Sequence, residues 1–266
     1  VRIPAAFNGL VGFKPTQARV TRDGAFPLSE SLDSIGPIAN SVACCSVVDA
    51  ILADCPRASH PPLGLKGLRL AVPEDFVLSD LDTRVAAAFE ETLARLSAAG
   101  GQIERVRVAV LNDIPALFAK GTLANAEAYA FHAAQNFFGA KDRYDPNVLS
   151  RIELGGRMTA ADYIGLTKAR TAMIAGVARI TAPFDALALP TTPQVAPRIA
   201  GVAEGAAFAH ANALALRNPS VFNFLDRCAI SLPMPGDMPS GLMLVGEYMG
   251  DAKLLCLAAA VEPALA

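Results

Sequence analysis

Leu68-Arg69-Leu70-Ala71-Val72 is a short apolar run closed by Pro73, and it is followed by a segment of quite different periodicity. Asp82 stands where a helix cap belongs, and Val85, Ala88, Phe89, Thr92, Leu93 and Leu96 then fall on one helical face before Gly100-Gly101 stops the turn. Val106, Val108 and Val110 next alternate with Arg105 and Arg107, the period of a strand. The unit is strand, helix, strand, the element from which parallel sheets are built.

The flanks extend this pattern. Residues 1–37 are dense in turn formers (Pro4, Gly9, Gly12, Pro15, Gly24, Pro27, Gly36, Pro37) and read as loops and brief strands. From Ser41, the positions Val42, Cys45, Val48 and Leu52 repeat at helical spacing until Asp54-Cys55-Pro56, and residues 56–67 read as a Pro/Gly linker. Residues 113–135 and 159–182 are predicted to be longer helices separated by a polar loop, the second opened by the capping box Thr159-Ala160-Ala161-Asp162. Residues 185–189, 228–232 and 242–245 are apolar strands, and Asp251 caps a last helix through Val261. Strands with near-continuous apolar runs, alternating with helices, predict an α/β sheet covered on both faces. There is no internal repeat.

With 266 residues, 53% apolar and 18% charged, the chain is long enough and apolar enough for a large core. Lys plus Arg is 23 against 25 for Asp plus Glu, so there is no basic excess to neutralise phosphates and no nucleic-acid partner is expected. Cys44, Cys45, Cys55, Cys228 and Cys256 form no C-x-x-C pair, which argues against a disulfide framework or zinc site and fits a reduced, cytoplasmic setting. His60, His132 and His210 are widely separated, so no metal is expected. No apolar run approaches the ~20 residues of a membrane span. Val1-Arg2-Ile3-Pro4 lacks the pattern of a secretory signal and the chain does not open with Met.

Several constellations have plain structural explanations. Gly9-Leu10-Val11-Gly12-Phe13-Lys14-Pro15-Thr16 looks superficially like a phosphate-cradling loop, but Pro15 removes a donor where the helix N-terminus should begin. Cys55 and His60 are near in sequence only, and Cys44 and Cys45 on an apolar helix are expected to pack. Asp23, Glu30 and Asp33 suit turns and salt bridges better than acid/base work, and Ser29, Ser31 and Ser34 have no recognisable base.

The opening residues 1–16, followed by Arg19-Val20, Gly24, Ser31-Leu32-Asp33 and Gly36-Pro37, resemble the amidase signature family just after its nucleophile. Agreement continues in order through Phe184-Asp185, Pro190-Thr191-Thr192-Pro193, Ala196-Pro197, Asn223, Ser231-Leu232-Pro233, Gly241-Leu242, Gly246, Asp251, Leu254-Leu255 and Glu262. The resemblance implies the amidase signature fold, a mixed central sheet flanked by helices on both faces. It also implies hydrolysis of a carbon–nitrogen amide bond to a carboxylate and ammonia or an amine, through an acyl-enzyme and without a cofactor. The family uses a serine nucleophile, a bridging serine on a cis peptide and a lysine base that burial keeps neutral. Backbone N–H groups of the glycine-rich turn hold the oxyanion.

In that family the nucleophile immediately precedes the position of Val1, and the bridging serine and lysine lie further upstream. Residues 1–266 are therefore expected to be the C-terminal portion of a single amidase domain, without catalytic residues and inactive alone. The encoding DNA is expected to continue upstream into a Gly-Gly-Ser. Loss of the first part of the fold is expected to expose sheet edges and make the isolated chain poorly soluble or partly molten.

Carried over singly, Arg2 and Asp33 resemble residues that brace the catalytic loop by hydrogen bonds and ion pairing. Thr191, Thr192 and Pro193 follow a strand end and are candidates for the substrate pocket wall. Arg151 stands where the glutaminase subunit of tRNA-dependent amidotransferases has a carboxylate-binding arginine, and a bidentate grip or a surface salt bridge would each suit the residue. That branch has an acidic residue ahead of Asn223 to hold an ammonium group, whereas Leu214-Ala215-Leu216-Arg217 has none, and Ile3 replaces a usually polar residue. Both departures favour a stand-alone amidase for neutral, apolar or aromatic small amides over the glutaminase subunit. Cys44 replaces a commonly acidic residue without touching the chemistry. The contrasting possibility is a non-catalytic remnant or half-subunit, with a second copy or a separate N-terminal half as partner.

Overall fold

In the computed structural model, which describes residues 1–55, 64–202 and 205–265, the strands join in one seven-stranded sheet. They are β1 (Val11–Lys14), β2 (Ile38–Ala39), β3 (Arg69–Pro73), β4 (Gln102–Val106), β5 (Ala186–Pro190), β6 (Ala229–Pro233) and β7 (Gly241–Val245). Their order is β2-β1-β6-β7-β5-β3-β4. β3 pairs in parallel with both β4 and β5, and the remaining pairings are antiparallel, so the sheet is mixed. The helices are α1 (Arg2–Phe7), α2 (Val42–Leu52), α3 (Thr83–Ala98), α4 (Ile114–Leu117), α5 (Leu123–Ala134), α6 (Pro146–Gly155), α7 (Ala160–Thr181), α8 (Gly205–Phe224) and α9 (Asp251–Leu265).

Side-chain alternation divides the core in two. Leu70, Val72, Ala186, Ala188, Ile230, Leu232, Leu242 and Leu244 face one cluster, packed with Val85, Phe89, Leu96, Leu254 and Val261 from α3 and α9. Ala71, Leu187, Leu189, Ala229, Met243 and Val245 face the other, with Met173 and Val177 of α7 and Val221, Phe222 and Phe224 of α8. Both faces are thus buried. Gly241 admits no side chain, because a Cβ there would lie 2.8 Å from Thr191 Oγ1 and closer still to Ser231 Oγ.

The β3-α3-β4 unit forms as its periodicity predicts, with Asp82 capping α3 and the same six residues buried. β4, however, starts directly after Gly101 and ends at Val106, because Gln102 N bonds Leu68 O at 2.7 Å and fixes the parallel register. Val108 leaves the sheet to bond Asp75 and bury itself under a 3-10 turn.

Other expectations need correction. Residues 2–7 are helical, not loop; Pro4 lies in the first turn, where a missing N–H costs little. On α2 the buried residues are Val42, Cys45, Ser46, Asp49 and Ala50, while Val48 is exposed. The helix expected over 113–135 is broken at Gly121 (φ +124°), after which Thr122 and Asn125 form a capping box for α5. The expected polar loop contains α6, capped by Asp145 through the amides of Asn147 and Val148. Residues 56–63 of the expected linker, with His60, lie outside the described residues.

Candidate functional site

A cavity of about 460 Å³ opens on the α8 side of the sheet, between residues 28–33, the start of α5, α6 and the end of α8. Phe118, Leu123, Ile152, Leu154, Leu216 and Phe224 supply apolar wall; Ser29, Asp33, Arg151, Ser220 and Asn223 supply polar groups. Gly155 lets α6 approach this closely, since a Cβ there would collide with Asn125 O of α5.

The 28–33 wall is held by two carboxylates. Asp33 Oδ2 accepts the amides of Leu28 and Ser29 at 2.8 and 2.9 Å, closing the loop on itself. Glu127 of α5 accepts Ser29 Oγ at 2.6 Å, Ser31 N at 3.0 Å, Ser31 Oγ at 2.7 Å and Tyr163 Oη at 2.8 Å. Burial raises the Glu127 pKa, but the bonds from Ser29, Ser31 and Tyr163 outweigh it and leave the carboxyl below its usual range. Asp23 accepts Thr21 Oγ1 and Glu30 pairs with Arg22, turn and surface roles as expected.

Arg2 is buried, and its Nη2 donates to Pro219 O at 3.0 Å and to Asn223 Oδ1. Its Nη1 contacts Met243 Sδ at 3.1 Å, so the first helix, α8 and β7 meet on one guanidinium. Burial pushes that guanidinium's pKa down. Arg2 and Asp33 are therefore not an ion pair: each braces its own wall, Arg2 through α8 and Asp33 through backbone amides.

Arg151 borders the cavity and forms no salt bridge among the described residues; its Nε donates to Asn147 O at 3.2 Å, leaving the terminal nitrogens free. Thr191, Thr192 and Pro193 do not border this cavity. Thr191 Oγ1 meets Ser231 Oγ at 2.7 Å, and Thr192 Oγ1 bonds Gln194 O at 2.8 Å, so both hydroxyls are consumed inside the fold. Arg217 reaches away to Ser79 Oγ and Val77 O. Of Leu214-Ala215-Leu216-Arg217, the stretch without an acid, Leu216 is in the cavity wall.

Glu127 and Ser220 were not anticipated. Glu127 could have been suspected as a carboxylate amid apolar and alanine positions of a helix; Ser220 had no signal beyond its nearness to Asn223. No serine–lysine relay is assembled among the described residues. The buried Lys14 donates to Pro15 O at 2.9 Å, and burial followed by the Arg2 charge lowers it to about 8. Cys45 and Cys228 are buried and pushed up to about 12 by burial, which leaves them poor nucleophiles. Among the described residues no group of His, Cys, Asp and Glu could hold a metal ion, and no helix is long and apolar enough to cross a membrane.

The family model Amidase matches residues 1–255. The chain is 33% identical to 2-amino-5-chloromuconic acid deaminase of Comamonas testosteroni, covering 98% of this chain and 58% of that protein. It is 28% identical to one subunit of the glutamyl-tRNA(Gln) amidotransferase of Pseudothermotoga lettingae, over 98% of this chain and 63% of that one. A crystal structure described as an amidase superposes with a TM-score of 0.86 at 31% identity, over the whole of this chain and 61% of its own. The chain thus spans about three-fifths of the length of the curated relatives it matches.

Proposed function

The chain belongs to the amidase family, and from that premise we propose that the polypeptide containing it hydrolyses a small amide to a carboxylate and ammonia or an amine. The observation that carries this reading is the cavity: about 460 Å³, apolar walls and a few convergent polar groups, the lining of a small-molecule site. The acyl part of a neutral, apolar or aromatic amide occupies it. Arg2, anchoring α8 against β7, sets the position of the adjoining residue, which the family resemblance makes the nucleophile. That nucleophile, the bridging serine, the lysine and the oxyanion turn are supplied from outside these 266 residues. The serine attacks the amide carbonyl, its proton passes through the bridging serine and lysine to the leaving amine, and water releases the acid. The lysine base is a separate group from Lys14, whose Nζ is committed to Pro15 O. Thr191, Thr192 and Pro193 contribute by shaping the β5 end behind the site. The free cysteines support a reduced, cytoplasmic setting, and a second copy or the N-terminal half is the proposed partner.

Similarity to a component of a tRNA-dependent amidotransferase favours a second reading, glutamine hydrolysis within such an assembly. The lack of a carboxylate in Leu214-Ala215-Leu216-Arg217 counts against it, since that stretch, with Leu216 in the cavity wall, offers a bound ammonium group no acid. The deciding experiment measures ammonia release by the native polypeptide from indole-3-acetamide, phenylacetamide and glutamine. Turnover of the aromatic amides supports the proposal, and turnover of glutamine alone overturns it in favour of the second reading.

A further inference from the structure

Asn223 carries an orientation that its surroundings impose. Arginine has only donors, so the side-chain atom facing Arg2 Nη2 is the Asn223 oxygen, and the NH2 group is turned the other way. That NH2 has no partner among the described residues, and Asn223 borders the cavity. One turn back on the same helix, Ser220 borders the same cavity, and its hydroxyl is likewise without a partner among the described residues. Arg2 is buried and shares the same Nη2 with Pro219 O, so the amide cannot rotate without stranding a charged donor.

We propose that Asn223 Nδ2, fixed by Arg2 and assisted by Ser220, is a specificity-determining donor for an oxygen acceptor on the acyl part of the substrate. The preferred substrates are then small amides whose apolar acyl group carries an oxo or similar oxygen, ahead of the same amides without it. This rests on the amide-hydrolase reading and adds to it the feature by which the cavity tells one apolar acyl group from another. Apolar wall alone discriminates weakly, whereas a desolvated donor left unpaired penalises the wrong ligand.

The test compares phenylacetamide with 2-oxo-2-phenylacetamide in the native polypeptide and in Asn223→Asp, which keeps an oxygen toward Arg2 but removes the donor. The native ratio of KM values should favour the oxo compound, and Asn223→Asp should cut that preference about tenfold while the two kcat values move together. Asn223→Ser, which also drops the NH2, reads the same ratio should the aspartate variant melt below the assay temperature. A preference unchanged within about twofold, or an equal loss for both substrates, overturns the proposal. Calorimetric binding of phenylacetate and benzoylformate to the same proteins reads the same contact without turnover. Absent hydrolysis with an intact binding preference would therefore sink the enzymatic reading and leave the donor, whereas hydrolysis without the preference would sink the donor alone.

Discussion

Ser29 Oγ donates to Glu127 Oε2 at 2.6 Å, and through this contact a loop near the start of the chain is tied to α5 at the cavity wall. The same carboxylate takes Ser31 and Tyr163, so it joins three segments: the 28–33 loop, α5 and α7. Glu127→Ala should cost about 1–3 kcal/mol and raise KM for any cavity ligand more than it lowers kcat, because several donors lose one acceptor. The folded pKa lies below the ordinary 4.5, so this stabilisation is complete above that value and disappears as pH falls through the lowered one. The protection factor of the Ser31 amide, with the intrinsic pH dependence of exchange divided out, should therefore fall selectively on acidification in the native protein and be low at neutral pH in the variant. Uniform exchange across the loop in both proteins would show that Glu127 does not hold it.

Arg19 grips Asp49 on α2 through Nε at 3.1 Å and Nη2 at 2.8 Å, and the Asp49 side chain is fully buried. Removing the cation strands a buried carboxylate, so Arg19→Ala should destabilise by about 3–5 kcal/mol. Asp49→Asn should cost less, because the amide oxygen still accepts from Arg19. Denaturant titration of the two variants checks the order, and equal losses would contradict it.

Leu216 borders the cavity, and it is the cavity-lining member of Leu214-Ala215-Leu216-Arg217, the stretch in which the sequence resemblance finds no acid. Leu216→Asp should weaken binding of neutral aromatic amides and improve that of substrates bearing an ammonium group, a switch of about tenfold in relative kcat/KM. The side chain is partly exposed, so the added charge remains solvated and the fold survives. Competition between phenylacetamide and glutamine, followed by product analysis, measures the switch; an unaltered preference would place the substrate's amino group elsewhere.

How much of this could be read in the sequence depended on whether local pattern and tertiary role coincided. On α3 they did: Asp82 caps it, and Val85 through Leu96 at helical spacing are the buried residues. At Val106, Val108 and Val110 they did not, because Val108 alternates like a strand residue yet is buried through a 3-10 turn that Asp75 organises. The Asp145-Pro146 pair was a legible helix start hidden in a polar stretch. Asp49 sat on a face read as apolar, and nothing local points to Arg19, 30 residues away. The family pattern singled out Arg2, Asp33 and Arg151, of which Asp33 and Arg151 border the cavity, whereas Asn223 entered only as a matching residue. The grouping of Asp33, Arg151 and Asn223 around one cavity, and the diversion of Thr191 and Thr192 into internal hydrogen bonds, arise from helix packing that no short window contains.

Lys14 is a buried group whose titration should be felt in stability. It is 4% exposed, its Nζ has one neutral acceptor among the described residues, Pro15 O, and burial together with the Arg2 charge lowers its pKa from 10.5 to about 8. Below pH 8 the folded protein must hold this ammonium in a poorly solvated place. Between about 8 and 10.5 the unfolded chain binds the extra proton and the folded one does not, so the Lys14 contribution makes stability rise with pH across that window. Lys14→Met, similar in volume and free of charge, should remove this rise and stabilise the protein at neutral pH by about 1–3 kcal/mol. Denaturant titrations of both proteins at pH 7 and pH 10 give the comparison. Convergence of the two stabilities at the higher pH is the expected result, while a constant gap would mean that folding does not displace the Lys14 pKa and that its stem, not its charge, sets the difference.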